Sequence, residues 1–216
     1  MRFHDREQAG RELAELLCRR LGGVPPDPLV LALPPGGVPV GAAVAAVLEA
    51  PFDVMVARLV RAPDRPEVAV GALLPGAPPH WEENALRTLG VTAHGLDGTV
   101  ADERAEVERC EALYRGDRPF PRVEGRTVIL VGDGLASGVA ARAALCRLRD
   151  GRPAALVMAA PVSAPRAAAV VLPVVDELVC LHRPWYLRDV GDWYADFHPP
   201  SDREVLDAMA AVHTVT

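Results

Sequence analysis

LVLALPPGGVPVGAAVAAVLEAPFDVMVARLV, residues 29–60, is the stretch that decides the fold class. It opens on an unbroken apolar run, LVLAL (29–33), the composition of a short strand buried on both faces of a parallel sheet. Pro34, Pro35, Gly36 and Gly37 punctuate that run, since proline lacks a backbone donor and the Pro-Gly pairing marks a turn. Beyond them Val40, Ala43, Val44, Val47 and Leu48 recur at helical spacing, which predicts an amphipathic helix. FDVMVARLV (52–60) returns to apolar character, interrupted by Asp53 and Arg58, and reads as a second strand. Strand, loop, helix and strand in that order predict a βαβ unit, hence a parallel sheet with a right-handed crossover.

The same alternation resumes further along the chain. TVILV (127–131) reads as a strand, GDGLASG as a glycine-rich turn, and the residues after it as a helix with Ala141, Leu145 and Leu148 inward. AALVMAAPV (154–162) and ELVCL (177–181) supply two more buried strands around a short helix at 165–171. Upstream, Asp5 and Gln8 form a capping box for a helix carrying Leu13, Leu16 and Leu17 on one face, which Gly22-Gly23 ends. Residues 61–98 are rich in Pro and Gly and hold a short hairpin around 68–74; they read as a mobile excursion from the sheet. A charged helix follows at 99–115, with Glu111 and Arg115 one turn apart. Ser201 and Glu204 bracket a second capping box, opening a last helix through Met209. The expectation is a single doubly wound α/β domain over residues 1–216, with a mainly parallel five-stranded sheet.

Composition excludes several classes of function. The chain has 216 residues, 50% apolar and 24% charged, enough for one well-cored globular domain. Its net charge of −6 argues against a broadly basic surface, so no nucleic-acid partner is expected. It contains no lysine, which removes Schiff-base chemistry and the P-loop lysine. Asn84 and Gln8 are its single carboxamides and Ser137, Ser163 and Ser201 its only serines, so polar function falls to Asp, Glu, Arg and backbone amides. Cys18, Cys110, Cys146 and Cys180 lie far apart and the six histidines are scattered singly; neither set has metal-ligand spacing, and no protein-built metal site is expected. The start carries no apolar leader, and the uncharged stretch 28–48 is broken by Pro34, Pro35, Gly36, Gly37, Pro39 and Gly41. A cytoplasmic protein with no membrane partner is the expectation.

Ligands of doubly wound sheets bind beyond the carboxyl ends of the strands. Two loops stand there, 33–37 and 131–138. In the second, backbone amides of Leu135, Ala136, Ser137 and Gly138, the Ser137 hydroxyl and the helix dipole suit one phosphate group. Asp133 suits sugar hydroxyls. The alternative is a plain glycine-rich turn in which Asp133 or Ser137 caps the helix. The spacing is neither the G-x-S-x-G nucleophile elbow nor the G-x-G-x-x-G dinucleotide fingerprint.

ILVGDGLASGVA resembles the phosphoribosyl-pyrophosphate (PRPP) loop of the type I phosphoribosyltransferases. LALPPGGVPVG, RAPDRPEVAVGAL with Glu67, and DVGDWYADFHPPSDREV resemble three further segments of a bacterial group within that family, in the same order. The resemblance implies a core over about 27–182 and a small hood from about 1–23 and 183–216. It implies that Gly134, Leu135, Ala136, Ser137 and Gly138 hold the 5′-phosphate, with Gly36 and Gly37 offering amides to pyrophosphate. Asp133 and Arg58 become the catalytic candidates, Trp185 covers the base, and residues 61–90 close over the reacting centre. Mg²⁺ would bridge pyrophosphate and ribose, bound mainly through PRPP. The implied ligands are PRPP or a nucleoside monophosphate and a small nitrogenous acceptor; a homodimer is common in the fold.

Departures from the pattern set the expectation for activity. Pro35 stands for an Arg, Leu59 for a Lys, Gly132 for one of two paired acids, and Ala140 for a hydroxyl residue; Ser137 replaces a Thr conservatively. Loss of one preorganised electrostatic group costs ~10²–10³ in rate. The chain therefore reads either as a phosphoribosyltransferase or as a non-catalytic sensor or partner-binding module that keeps the ligand site.

Overall fold

The computed structural model describes residues 2–213. Five parallel strands form the central sheet: β1 (Pro28–Ala32), β2 (Phe52–Val54), and, later in the chain, Thr127–Val131, Ala155–Val162 and Glu177–His182. A three-stranded antiparallel sheet lies between them in sequence: β3 (Arg58–Ala62), β4 (Arg65–Leu73) and β5 (His80–Trp81). The later parallel strands are therefore β6, β7 and β8, and the order across the main sheet is β2-β1-β6-β7-β8.

Strict alternation along the central strands feeds two cores. Val30, Ala32, Ile129, Val131, Val157 and Ala159 face one way; Leu29, Leu31, Val128, Leu130, Leu156 and Met158 face the other. Helices α1 (Arg6–Leu21) and α2 (Gly37–Leu48) cover the first face, with Leu13, Leu17, Val40 and Val44 buried beneath them. After α3 (Glu83–Leu89) and α4 (Asp97–Arg115) in the excursion, α5 (Val139–Asp150) and α6 (Pro165–Val171) cover the second face. Helix α7 (Asp202–His213) packs outside α2. Helices on both faces of a parallel sheet are the doubly wound arrangement that the sequence predicts.

Several local expectations change. The apolar run 52–60 is two strands, because β2 leaves β1 at the Ala32–Val54 pair while the chain from Arg58 pairs with β4. Val54, Met55 and Val56 are buried across the break, so apolar character continues where the strand does not. Val47, expected on the inward face of α2, is exposed. The hairpin expected around 68–74 starts earlier, with β3 and β4 turning at Pro63-Asp64. Helix α1 is also a layer of the domain: Leu13, Ala14 and Leu17 are driven into the core beneath it, while Phe3, Arg6 and Ala9 at its start meet the tail.

The capping boxes divide in the same way. Ser201 and Glu204 make the reciprocal pair, Ser201 N–H to Glu204 Oε2 at 2.8 Å and Glu204 N–H to Ser201 Oγ at 3.3 Å. At α1 the Gln8 N–H donates to Asp5 Oδ1 at 2.7 Å, but Gln8 Oε1 accepts from His4 N–H rather than from Asp5. Among the described residues no helix is long and apolar enough to cross a membrane.

Candidate functional site

From β1 the chain steps outward to β2 on one side, and β6 lies on the other, so the topological switch point falls between β1 and β6. The loops leaving those two strands are 33–36 and 132–138, and they touch. Their contact depends on Gly36, where an added Cβ would stand 2.1 Å from Asp133 Oδ2. Gly37 has the same role against the Val131 carbonyl, 2.8 Å from where its Cβ would be. The Gly37 amide, expected to face pyrophosphate, instead donates to the Leu33 carbonyl at 2.9 Å inside a turn that contains a cis Pro34–Pro35 bond.

The second loop is anchored at one point and open around it. The Leu135 amide donates to the Val162 carbonyl at 2.9 Å, its carbonyl accepts from Ala164 at 2.8 Å, and its side chain is buried. Leu135 therefore pins the loop to the end of β7, and its amide is already engaged. Ala136 is exposed, and its carbonyl accepts from Arg166 Nε at 3.3 Å. Ser137 Oγ accepts only a long bond, 3.4 Å, from the Val139 amide at the start of α5. Gly138 takes φ +77°, and a Cβ there would lie 2.9 Å from the Ala167 carbonyl, so both conformation and space call for glycine.

Asp133 is the charged centre of this crevice. Its Oδ2 accepts from Arg6 Nε at 3.0 Å, and its carbonyl accepts from the Tyr194 hydroxyl at 2.6 Å. Burial pushes its carboxyl above the ordinary range, and the charge and hydrogen bond of Arg6 oppose that shift. Burial, and then the nearby Asp133 charge, raise the Tyr194 phenol, so it remains a donor. Val190 lies against Gly134, its Cγ1 2.4 Å from where a Cβ would stand. The tail thus closes over the loop from Val190 to His198, whose carbonyl accepts from Arg6 Nη1 at 2.7 Å.

The remaining expected residues lie elsewhere. Arg58 starts β3 and its Nε donates to Glu103 on α4 at 2.9 Å; among the described residues no hydrogen bond or ion pair joins it to either loop. Trp185 is 91% exposed and meets only the neighbouring Tyr186 ring, at 5.8 Å between centroids. Trp193, by contrast, stacks on His182 at 4.9 Å, and Tyr194 is buried with Phe3. Arg6, which no sequence pattern marks, joins Tyr194 and Val190 in linking the tail to the site. An ion pair across 127 positions leaves no local pattern, and the one available signal is an Arg in the first turn of a helix, where the dipole disfavours it.

Two further features adjoin the site without forming it. His80 and Glu82 hold Arg142 of α5, at 3.2 and 3.0 Å, and so tie the excursion to that helix; burial and then Arg142 lower the His80 pKa. Two grooves of about 820 and 500 Å³ lie among α1, α2 and α7, the smaller reaching Arg6, Asp196 and His198, and no residue of loop 132–138 lines them. The donors at the crevice do not build a metal site: beside Gly132, the Asp133 carboxylate already has a guanidinium on Oδ2. Among the described residues no group of three His, Cys, Asp or Glu side chains could enclose a metal ion.

Comparison with known proteins agrees with this architecture. Residues 2–190 match the phosphoribosyl transferase domain family. The chain is 34% identical over 211 residues to a Mycobacterium tuberculosis protein whose name places it with the phosphoribosyl transferases. That alignment covers 98% of this chain and 47% of the other, so the chain spans about half the length of the curated relatives it matches. The crystal structure of TT1426 from Thermus thermophilus superposes with a TM-score of 0.79 at 36% identity, covering 98% of this chain and 99% of that one. The AQ2163 protein from Aquifex aeolicus shares the fold at 11% identity, with a TM-score of 0.53 over 86% of this chain and 78% of its own.

Proposed function

Because this chain belongs to the phosphoribosyl transferase domain family, we propose that its switch-point crevice takes the 5-phosphoribosyl group of PRPP or of a nucleoside 5′-monophosphate. The start of α5 carries this reading: Ser137 and Gly138 stand at the N-terminus of a 12-residue helix, in the same loop as Asp133. Helix N-termini favour phosphate through unpaired amides and the dipole, and neither needs a lysine. The amides of Ala136, Ser137 and Gly138 and the Ser137 hydroxyl are the donors. Leu135 holds the loop in shape. Asp133 Oδ1 accepts from no other residue among those described and suits a ribose hydroxyl.

Grip on the ligand survives here better than turnover. Expelling pyrophosphate requires charge stabilisation that grows in the transition state. Pro35, Leu59 and Gly132 offer none, and the nearest retained cation of that set, Arg58, is neutralised by Glu103 at 2.9 Å. The magnesium ion that the family resemblance implies would be carried on PRPP oxygens and supply positive charge to pyrophosphate. Trp185, beside the carboxyl end of β8, is the candidate cover for the base, and its exposure leaves it free to take one. A thermal-shift panel of PRPP, pyrophosphate and nucleoside monophosphates with Mg²⁺ tests the reading. Ligand at a hundred times its dissociation constant adds about 2.7 kcal/mol to stability and raises the melting point by several degrees. Ser137→Glu, which sets a carboxylate where the phosphate would lie, should abolish the shift. No shift with any of these ligands would sink the reading.

A further inference from the structure

We propose that Arg6 is a positioning residue for this crevice: it fixes the Asp133 carboxylate for the ribose and ties the tail to the ligand loop. The inference rests on the functional reading above and adds a residue to it. Arg6 sits in the first turn of α1, where the helix dipole disfavours a cation, so the helix itself gives no reason for it. It is only 7% exposed, and a buried guanidinium is costly unless its partners are in place. All its partners belong to the site. Nε bonds Asp133 at 3.0 Å, Nη1 bonds the His198 carbonyl at 2.7 Å, and the guanidinium carbon lies 3.9 Å from the Phe197 ring centroid.

The geometry divides Asp133 between two tasks. Oδ2 is held between Arg6 and the bare Cα of Gly36, which leaves one orientation for the carboxylate. Oδ1 faces no other residue's donor and stays available for a ligand hydroxyl. Without Arg6 the carboxylate would lose both its fixed rotamer and its balancing charge. Asp5 and Glu7 at the start of α1 and Glu204 and Asp207 of α7 line the groove beside Arg6. The Tyr194 hydroxyl bonds the Asp133 carbonyl, and Asp196 lies on the Arg6 side of the tail. The His198 ring is held between Asp196 and Glu204, at 2.9 and 3.0 Å. Asp196 and Glu204 raise the His198 pKa, and Arg6 touches this group through Asp196 and the His198 carbonyl, so the acid limb is also read in a His198→Gln background.

The test is calorimetric titration of ribose 5-phosphate and 2-deoxyribose 5-phosphate into wild type, Arg6→Met, Arg6→Lys, Asp133→Asn and the Arg6→Met/Asp133→Asn double variant, across pH. Arg6→Met should weaken ribose 5-phosphate about tenfold and shrink the preference over the deoxy sugar. It should also move the acid limb of binding to higher pH, because an unpaired buried carboxylate protonates more readily. Arg6→Lys should return the acid limb towards wild type. In the Asp133→Asn background Arg6→Met should change affinity less than about twofold, as expected when one residue acts through another. Equal losses in both backgrounds, or an unmoved acid limb, would overturn the inference while leaving the functional reading intact. If Arg6→Met does not fold, Arg6→Lys decides: one ammonium cannot make both the Asp133 and the His198 bonds, so a reduced preference for ribose over the deoxy sugar supports the role, and a sugar preference identical to wild type contradicts it. Absence of ribose 5-phosphate binding by wild type would remove both readings.

Discussion

The loops after β1 and β6 look alike in sequence and work differently in space. Both are glycine-bearing strand-to-helix turns on neighbouring strands at the switch point. In the first, glycine is present so that something else can come close: Gly36 gives its side-chain space to Asp133, and the Gly37 amide is consumed by Leu33. In the second, Gly138 bends the chain into α5 with φ +77°, and the groups around it, Ser137 and Asp133, keep hydrogen-bonding capacity. One loop is a wall and the other, on the proposed reading, a cradle. Glycine content alone does not separate them; the fate of each amide does.

Substitutions can break this contrast, and the largest effect is expected at Gly138. A valine there meets both a positive φ and the Ala167 carbonyl, at 2.9 Å from the Cβ. A loss of about 3 kcal/mol in unfolding stability follows from strain plus overpacking, measured by urea titration. A change under ~1 kcal/mol would mean the loop can adopt another path. Asp133→Ala should come next, lowering affinity for ribose 5-phosphate or a nucleoside monophosphate about 10- to 100-fold, the worth of a charged hydrogen-bonding group. Unaltered affinity would return Asp133 to a purely structural part.

Smaller effects sharpen the comparison. Ser137→Ala should weaken monophosphate binding about threefold to tenfold while shifting stability by under ~0.5 kcal/mol, because its bond to Val139 is long at 3.4 Å. If stability falls and affinity does not, Ser137 is a helix cap and nothing more. The two tail tryptophans should behave oppositely. Trp193→Ala removes the stack on His182 and should cost about 1–3 kcal/mol of stability. Trp185→Ala should leave the melting curve nearly unchanged and weaken nucleotide binding more than ribose 5-phosphate binding; equal weakening of the two would show that it does not touch the base.

What could be read beforehand follows the range of the forces involved. The strands β1 and β6 announce themselves through contiguous apolar residues, and the loops through Gly and Pro, since burial on both faces and turn conformations are local demands. The break at Met55 was not legible, because Val54, Met55 and Val56 are buried on either side of it and the hydrophobic signal never drops. Asp133 and Ser137 could be singled out from a helix N-terminus in the sequence. Leu135's engaged amide, the Val190 contact with Gly134 and the Arg6–Asp133 pair could not, because each depends on a segment brought in from another part of the chain. The resemblance carried the family. It also implies a part for Arg58 in the chemistry, and Arg58 pairs with Glu103, a partner that no local pattern in the sequence announces.

The central claim is that this crevice grips a phosphoribosyl group while contributing little to the departure of pyrophosphate. Its most direct test is to measure both on one sample: PRPP binding by calorimetry, and pyrophosphate release with a panel of purine and pyrimidine bases at saturating Mg²⁺. The account predicts saturable binding that Asp133→Ala and Ser137→Glu each weaken, with release slower by ~10² or more than the 1–10³ s⁻¹ usual for enzymes. Release within that usual range with any base would contradict it, and would mean that another arginine supplies the charge absent at Pro35 and Leu59.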